Sequence, residues 1–205
     1  MRLYLAGPEV FLVDADAIAE AKRAICTAHG LTGIFPLEPP PVVPDASLPE
    51  WLRIYWANES HIRACDALVA NLTPFRGVSA DVGTVYELGF MRALGRPVFG
   101  YSNVAQRFGG RALAALGGTA RRRADGAWED AEGMAVEEFD RHDNLMLEGG
   151  IEAAGGRFVA ADVPAARRWH DLAAFETCVA AAARLLRGAA TGPAATIQVS
   201  STSSA

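Results

Sequence analysis

The sequence predicts an α/β domain of the Rossmann-like, flavodoxin-like type: a doubly wound parallel sheet between two layers of helices. Three observations predict it. Short apolar runs alternate with longer stretches of helical period. The run 66–72 (DALVANL) is apolar on both faces, as a central parallel strand must be. The 205 residues, 51% apolar and 21% charged, suit one domain with a full core.

The elements follow in order. Residues 2–6 (RLYLA) read as a buried strand ending at Gly7-Pro8. Residues 14–29 read as a helix with Ile18, Ala21, Ile25 and Ala28 on one face, Asp14 as its cap and Gly30 as its stop. A short strand at 32–36 leads into a proline-rich loop to residue 49, and loops of that length in compact domains usually carry function. Residues 49–64 read as a helix with Trp51, Leu52, Tyr55, Trp56 and Ile62. After the 66–72 strand, the loop 73–80 enters a helix over about 82–95, which Gly95-Arg-Pro97 breaks; 98–101 is the next strand. Residues 109–142 are polar and glycine-rich, an excursion with one hairpin near Asp125-Gly126. A short helix at 143–154, a strand at 157–160 and a helix at 167–187 complete a single domain over 1–187. From Gly188 the Ala-, Gly-, Ser- and Thr-rich tail reads as disordered. On the last helix Trp169, Leu172, Val179 and Leu186, beside Phe175 and Leu185, form an apolar face for the core or for another subunit.

Composition narrows the function. The net charge of −5 argues against a nucleic-acid partner, and the basic run Arg121–Arg123 is followed by Asp125, Glu129, Asp130 and Glu132, as in a solvated hairpin. Cys26, Cys65 and Cys178 are dispersed in apolar patterns, as small buried side chains in a reducing compartment are. The four histidines lack metal-ligand spacing, so no metal is expected. No stretch reaches the ~18 apolar residues of a membrane helix, and a soluble cytoplasmic protein is expected.

In a doubly wound sheet ligands sit at the carboxyl ends of the strands. The loops there are Gly7–Val13, Pro36–Leu48, Thr73–Ala80 and Ser102–Phe108. None carries a dinucleotide fingerprint, a P-loop or a G-x-S-x-G elbow, so no cofactor is expected. The helix after the third loop is more informative. Its stripe Val82, Val85, Gly89 and Ala93 is matched on other sides by Phe90, Met91 and Leu94, a pattern of burial nearly all round. Glu87 stands in its middle and leans back over the turn holding Gly83 and Thr84. Gly83 leaves room there for a ligand. Asp81 stands at the helix start, as an N-cap, a ligand contact or both. Two carboxylates around a small open space suit glycosidic-bond cleavage, one attacking the anomeric carbon and the other orienting hydroxyls or handling a proton.

Four blocks resemble the nucleoside 2-deoxyribosyltransferases: Tyr4–Phe11 (YLAGPEVF), Asp66–Gly77, Asp81–Gly89 (DVGTVYELG) and Asp143–Met146 (DNLM). The resemblance runs over residues 2–160 in the same order. It implies transfer of 2-deoxyribose between nucleobases, with 2′-deoxynucleosides and free bases as partners. It implies that Glu87 forms a glycosyl ester, that Asp81 contacts substrate and assists proton transfer, and that Tyr4 hydrogen-bonds the nucleophile. Asn144 and Met146 would hold the sugar's 5′ end in a neighbouring subunit's site, which implies a homo-oligomer. Gly7 and Phe11 of the first loop are assigned to substrate binding, with Phe11, Phe75 and Trp51 able to stack on a base. A second acidic position matches Glu59 or Asn58, where the family often has aspartate. Related deoxynucleoside monophosphate N-glycosidases carry serine where Asp81 stands, so Asp81 favours free nucleosides. The residues themselves leave other readings open: Tyr4 as core, Asn144 as a helix cap, Met146 as packing, Arg76 as a guanidinium bonding loop carbonyls. A hydrolase with the same nucleophile and a non-catalytic nucleoside sensor are the alternatives.

Overall fold

A computed structural model describes residues 1–191. Five parallel strands form the sheet: β1 (Arg2–Ala6), β2 (Thr32–Ile34), β3 (Ala67–Asn71), β4 (Val98–Ser102) and, at the edge, β7 (Phe158–Ala160), in the order β2-β1-β3-β4-β7. The order reverses beside β1, so β1 and β3 flank the switch point where this architecture places ligands. Strand alternation sends Leu3, Leu5, Val69 and Phe99 to one face, against α1 (Ala15–Ala28) and α6 (Ala173–Thr191). It sends Tyr4, Ala6, Leu68, Ala70 and Val98 to the other, against α2 (Glu50–Ala64), α3 (Val82–Ala93) and α5 (Leu145–Ala153). The expected three-layer parallel architecture is therefore present. Among the described residues no helix is long and apolar enough to cross a membrane.

Several details differ from the sequence pattern. The excursion contains a helix, α4 (Phe108–Ala115), besides the expected hairpin of β5 (Arg121–Arg122) and β6 (Trp128–Glu129). Two glycines in FGGRALAA hide that helix from a composition reading. The basic run does lie on a solvated hairpin, Arg121 pairing with Glu129 at 2.6 Å. Asp14 makes no side-chain cap; its carboxylate meets His170 Nε2 at 3.0 Å. The buried face of α1 is Ala15, Ile18, Ala19, Lys22 and Cys26, because a buried Glu9 gives Lys22 an ionic partner inside the core. Nor is α3 buried all round. Thr84, Leu88 and Met91 face inward, while Val82 and Tyr86 are exposed. The last helix begins at Ala173, after a 3-10 turn at Ala165–Arg167, and continues to Thr191, past the expected end at 187. Its Phe175, Val179 and Leu186 are buried in the chain's own core, while Leu185 is exposed. The disorder expected of the tail falls, beyond 191, outside the described residues.

Candidate active site

Glu87 is the centre of the site. The switch point brings β1 beneath α3, and the Tyr4 hydroxyl donates to Glu87 Oε1 at 2.7 Å. Tyr4 is fully buried on β1, so both the core reading and the partner reading of that residue hold. Burial pushes the Glu87 carboxyl up from 4.5 to about 7; the Tyr4 hydrogen bond lowers it and the nearby charge of Asp81 raises it. Tyr4, buried against that carboxylate, is held well above the usual phenol range and donates its proton throughout the physiological window. With one oxygen fixed by Tyr4, Glu87 presents the other.

Asp81 is the N-cap of α3. Its Oδ2 accepts from Thr84 N at 2.9 Å and Thr84 Oγ1 at 3.0 Å, which leaves Oδ1 free for a second role. A Cβ on Gly83 would stand 3.1 Å from Asp81 Oδ2, so the bare backbone there keeps the turn open. Beside this turn lies a cavity of about 260 Å³ lined by Tyr55, Asn58, Glu59, Ile62, Gly83, Tyr86 and Glu87. Four of the expected residues, Asn58, Glu59, Gly83 and Glu87, thus share one cavity. Glu59 is buried and accepts from Tyr55 at 2.6 Å, Tyr86 at 2.8 Å and Arg63 at 3.3 Å. The Tyr55 hydroxyl first, then Tyr86 and Arg63, holds the Glu59 carboxyl below its usual range, so it stays anionic. The Tyr55–Tyr86 pair was not legible as a site, because aromatics on helices read as packing. The i, i+4 spacing of Tyr55 and Glu59 and the adjacency of Tyr86 to Glu87 are the signals that point to it.

The remaining expected residues lie elsewhere. Gly7 has no room for a side chain: a Cβ would stand 2.0 Å from Glu9 Oε2 and 3.0 Å from the Asn71 Cβ. Glu9 Oε1 in turn accepts from Lys22, Asn71 at 2.8 Å and Tyr101 at 3.0 Å, locking the first loop onto β3 and β4. Phe11 is exposed and stacks on Phe75 at 5.5 Å, outside the cavity lining. Arg76 packs its guanidinium over both rings, 5.2 and 4.6 Å from their centroids, instead of bonding loop carbonyls. Trp51 is exposed on the first turn of α2 and lines no part of this cavity. Asn144 caps α5, its Oδ1 accepting from Met146 N at 3.1 Å. Neither Asn144 nor Met146 lines the cavity of its own chain, and Met146 is 71% exposed. Asp143 is buried and binds Ser79 and, at 2.9 Å, Ala80 N, so the Asp143–Met146 segment is tied to the loop that leads into α3.

Fold and site together define a doubly wound α/β domain with a desolvated carboxylate at its switch point. Residues 3–146 match the family described as Nucleoside 2-deoxyribosyltransferase, and the chain belongs to that family. It is similar to an uncharacterized fission-yeast protein (Schizosaccharomyces pombe, C191.05c), 30% identical over 171 residues covering 78% of this chain and 81% of that one. Among solved structures it is similar to a 2-desoxiribosyltransferase from Leishmania mexicana, with 27% identity and a TM-score of 0.56 over 87% of this chain and 96% of that one. A 2-deoxyribosyltransferase from Bacillus psychrosaccharolyticus is also similar, at 23% identity and a TM-score of 0.41 over 52% and 75% of the two chains. Membership supports glycosyl transfer or N-glycosidase chemistry in nucleoside metabolism.

Proposed function

We propose that the protein transfers 2-deoxyribose between nucleobases through a covalent ester on Glu87. The observation that carries this reading is the Tyr4–Glu87 contact of 2.7 Å, with a carboxyl held near 7 at the edge of an open cavity. In the first half-reaction the free Glu87 oxygen bonds to C1′ of a 2′-deoxynucleoside as the C1′–N bond breaks. Its electron pair leaves with the base, and a proton taken up from solvent passes through Asp81 to the base nitrogen. The positive charge that develops at C1′ is offset by the Glu87 carboxylate itself. In the second half-reaction another base attacks C1′, the ester bond breaks, and the proton of the incoming base returns. Two inversions give net retention.

The other residues have proposed places around this chemistry. Asn58, Glu59 and Gly83 border the bound nucleoside, with Gly7 and Phe11 supporting the first loop at its edge. Asn144 and Met146, which do not line their own chain's cavity, serve the sugar's 5′ end in a neighbouring copy, so the working form is a homo-oligomer with shared sites. The experiment is product analysis: 2′-deoxyadenosine is incubated with and without cytosine. Appearance of adenine and 2′-deoxycytidine supports transfer. Adenine and free deoxyribose alone, at the same rate with or without cytosine, support a hydrolase. No turnover of either kind leaves only a binding protein.

A further inference from the structure

The long proline-rich loop between β2 and α2 has no part in the chemistry above, yet its course is fixed. At its root Glu38 Oε1 accepts from Phe35 N at 2.9 Å, and His61 Nε2 donates to Glu38 O at 3.0 Å. At its far end a turn is closed by Leu48 N on Asp45 O at 3.1 Å and by Ser47 N on Asp45 Oδ1 at 2.9 Å. Pro39, Pro40, Pro41 and Pro44 restrict the backbone in between.

Between this loop and α2 lies a second cavity, of about 410 Å³, within the range of small-molecule sites. Val43, Pro44 and Leu48 of the loop and Trp56 of α2 form its apolar walls. On α2 the stripe Trp56, Glu59, Ser60 and Arg63 faces this cavity, while the adjoining stripe Tyr55, Asn58, Glu59 and Ile62 faces the cavity at Glu87. Glu59 belongs to both stripes and is the border between the two cavities. Its Oε1 is taken by the Tyr55 and Tyr86 hydroxyls. Among the described residues its Oε2 accepts only from Arg63, at 3.3 Å, which leaves a lone pair for another donor.

Charge and polarity limit what the second cavity can take. Among the described residues that line it, Arg63 is the one cation, against the carboxylates of Glu59 and Asp45. An anionic group would meet an excess of negative charge, and a hydrated polar group would lose its water against apolar walls. An apolar group gains from burial there. At the border, the fixed Glu59 carboxylate favours an N–H donor. A base whose exocyclic N–H carries an apolar substituent meets both demands with one nitrogen.

We propose that the second cavity is a subsite for an apolar substituent on the exocyclic amine of the nucleobase. The N–H donates to Glu59, and the substituent sits between the proline-rich loop and α2. The substrate class is then 2′-deoxynucleosides with an alkyl or benzyl group on the base amine. The inference rests on the glycosyl-transfer reading above, in which Glu59 borders the bound nucleoside.

The test measures kcat/KM for base release, with cytosine as acceptor, from three compounds: 2′-deoxyadenosine, its N6-benzyl derivative and its N6-benzyl-N6-methyl derivative, which has no N–H. Wild type, V43D and L48A are compared, with thermal unfolding of each. Both side chains stand on the loop, outside the Glu87 cavity, and Val43 is exposed. Wild type should use the N6-benzyl compound about as well as 2′-deoxyadenosine or better. It should lose roughly tenfold on N-methylation, as expected for a hydrogen bond to a charged group. V43D puts a charge in the apolar wall and L48A removes part of it. Each should lower the benzyl-to-unsubstituted ratio roughly tenfold and leave 2′-deoxyadenosine unchanged. A ratio that neither folded variant moves, or a wild-type ratio below one tenth, overturns the inference and leaves the glycosyl-transfer reading intact. An N-methylated compound used as well as its parent overturns the contact given to Glu59. Base release from none of the three by wild type overturns the proposed function and this inference with it.

Discussion

Glu87→Gln separates the state of the carboxylate from its chemistry. The glutamine is close in shape and still accepts from Tyr4, but it cannot ionise. The wild-type carboxyl moves from 4.5 in the unfolded chain to about 7 in the folded one. A raised folded value favours the protonated form, so its contribution to stability is fully present below pH 4.5 and is lost as pH rises through 7. The shift of about 2.5 units corresponds to about 3 kcal/mol. Burial is the main cause, and glutamine pays no equivalent cost because it stays neutral. The difference in unfolding free energy, E87Q minus wild type, should therefore grow by about 3 kcal/mol between pH 4 and pH 8.5. Urea unfolding of both proteins at the two pH values measures it, and taking the difference cancels every titration the two proteins share. A difference that stays flat across this range would refute the claim that the fold desolvates Glu87.

Three further outcomes follow from the same geometry. The acidic limb of kcat/KM, set near 7 by ionisation of Glu87 in the free enzyme, should move up in Tyr4→Phe, which loses the bond that lowers the carboxyl, and down in Asp81→Asn, which loses the charge that raises it; pH–rate profiles showing the same direction for both would contradict the assignment. Asp81→Ser should lose nucleoside activity and gain relative activity on deoxynucleoside monophosphates, and a wild-type preference for monophosphates would show that Asp81 does not discriminate. Mixing inactive Glu87→Ala with inactive Asn144→Ala/Met146→Ala under subunit exchange should restore roughly a quarter of wild-type activity, since a two-fold heterodimer holds one intact site; exchange seen by mass spectrometry with no recovery would place Asn144 and Met146 outside the neighbour's site.

The fold was legible because its signals are local. The two-sided apolar run of β3 and the helix-length spacings between strands specify a doubly wound sheet, and Gly30, at φ +76°, ends α1 as its conformation requires. Glu87, Asp81 and Gly83 were legible for a similar reason, since less than two helical turns relate them. The Tyr4–Glu87 contact spans 83 positions, and only the family resemblance pointed to it. What stayed hidden depends on tertiary partners. Lys22 looks like a surface lysine until Glu9 meets it in the core. Val82 looks like a core position until the direction of α3 is known. Glu137 is one acid among many in a polar stretch, and nothing within ten residues marks it as the partner of Leu145 N and Asn144 except the contact itself.

The central claim is a covalent bond between Glu87 and the sugar. Wild-type protein mixed with excess 2′-deoxyadenosine, without acceptor base, is quenched in acid during the first turnover, digested and mapped by mass spectrometry. The account predicts one 2-deoxyribosyl unit on the peptide containing Glu87, absent in E87Q and discharged when cytosine is added before the quench. Release of adenine in that first turnover with the Glu87 peptide unmodified, or with the sugar on another residue, would contradict it.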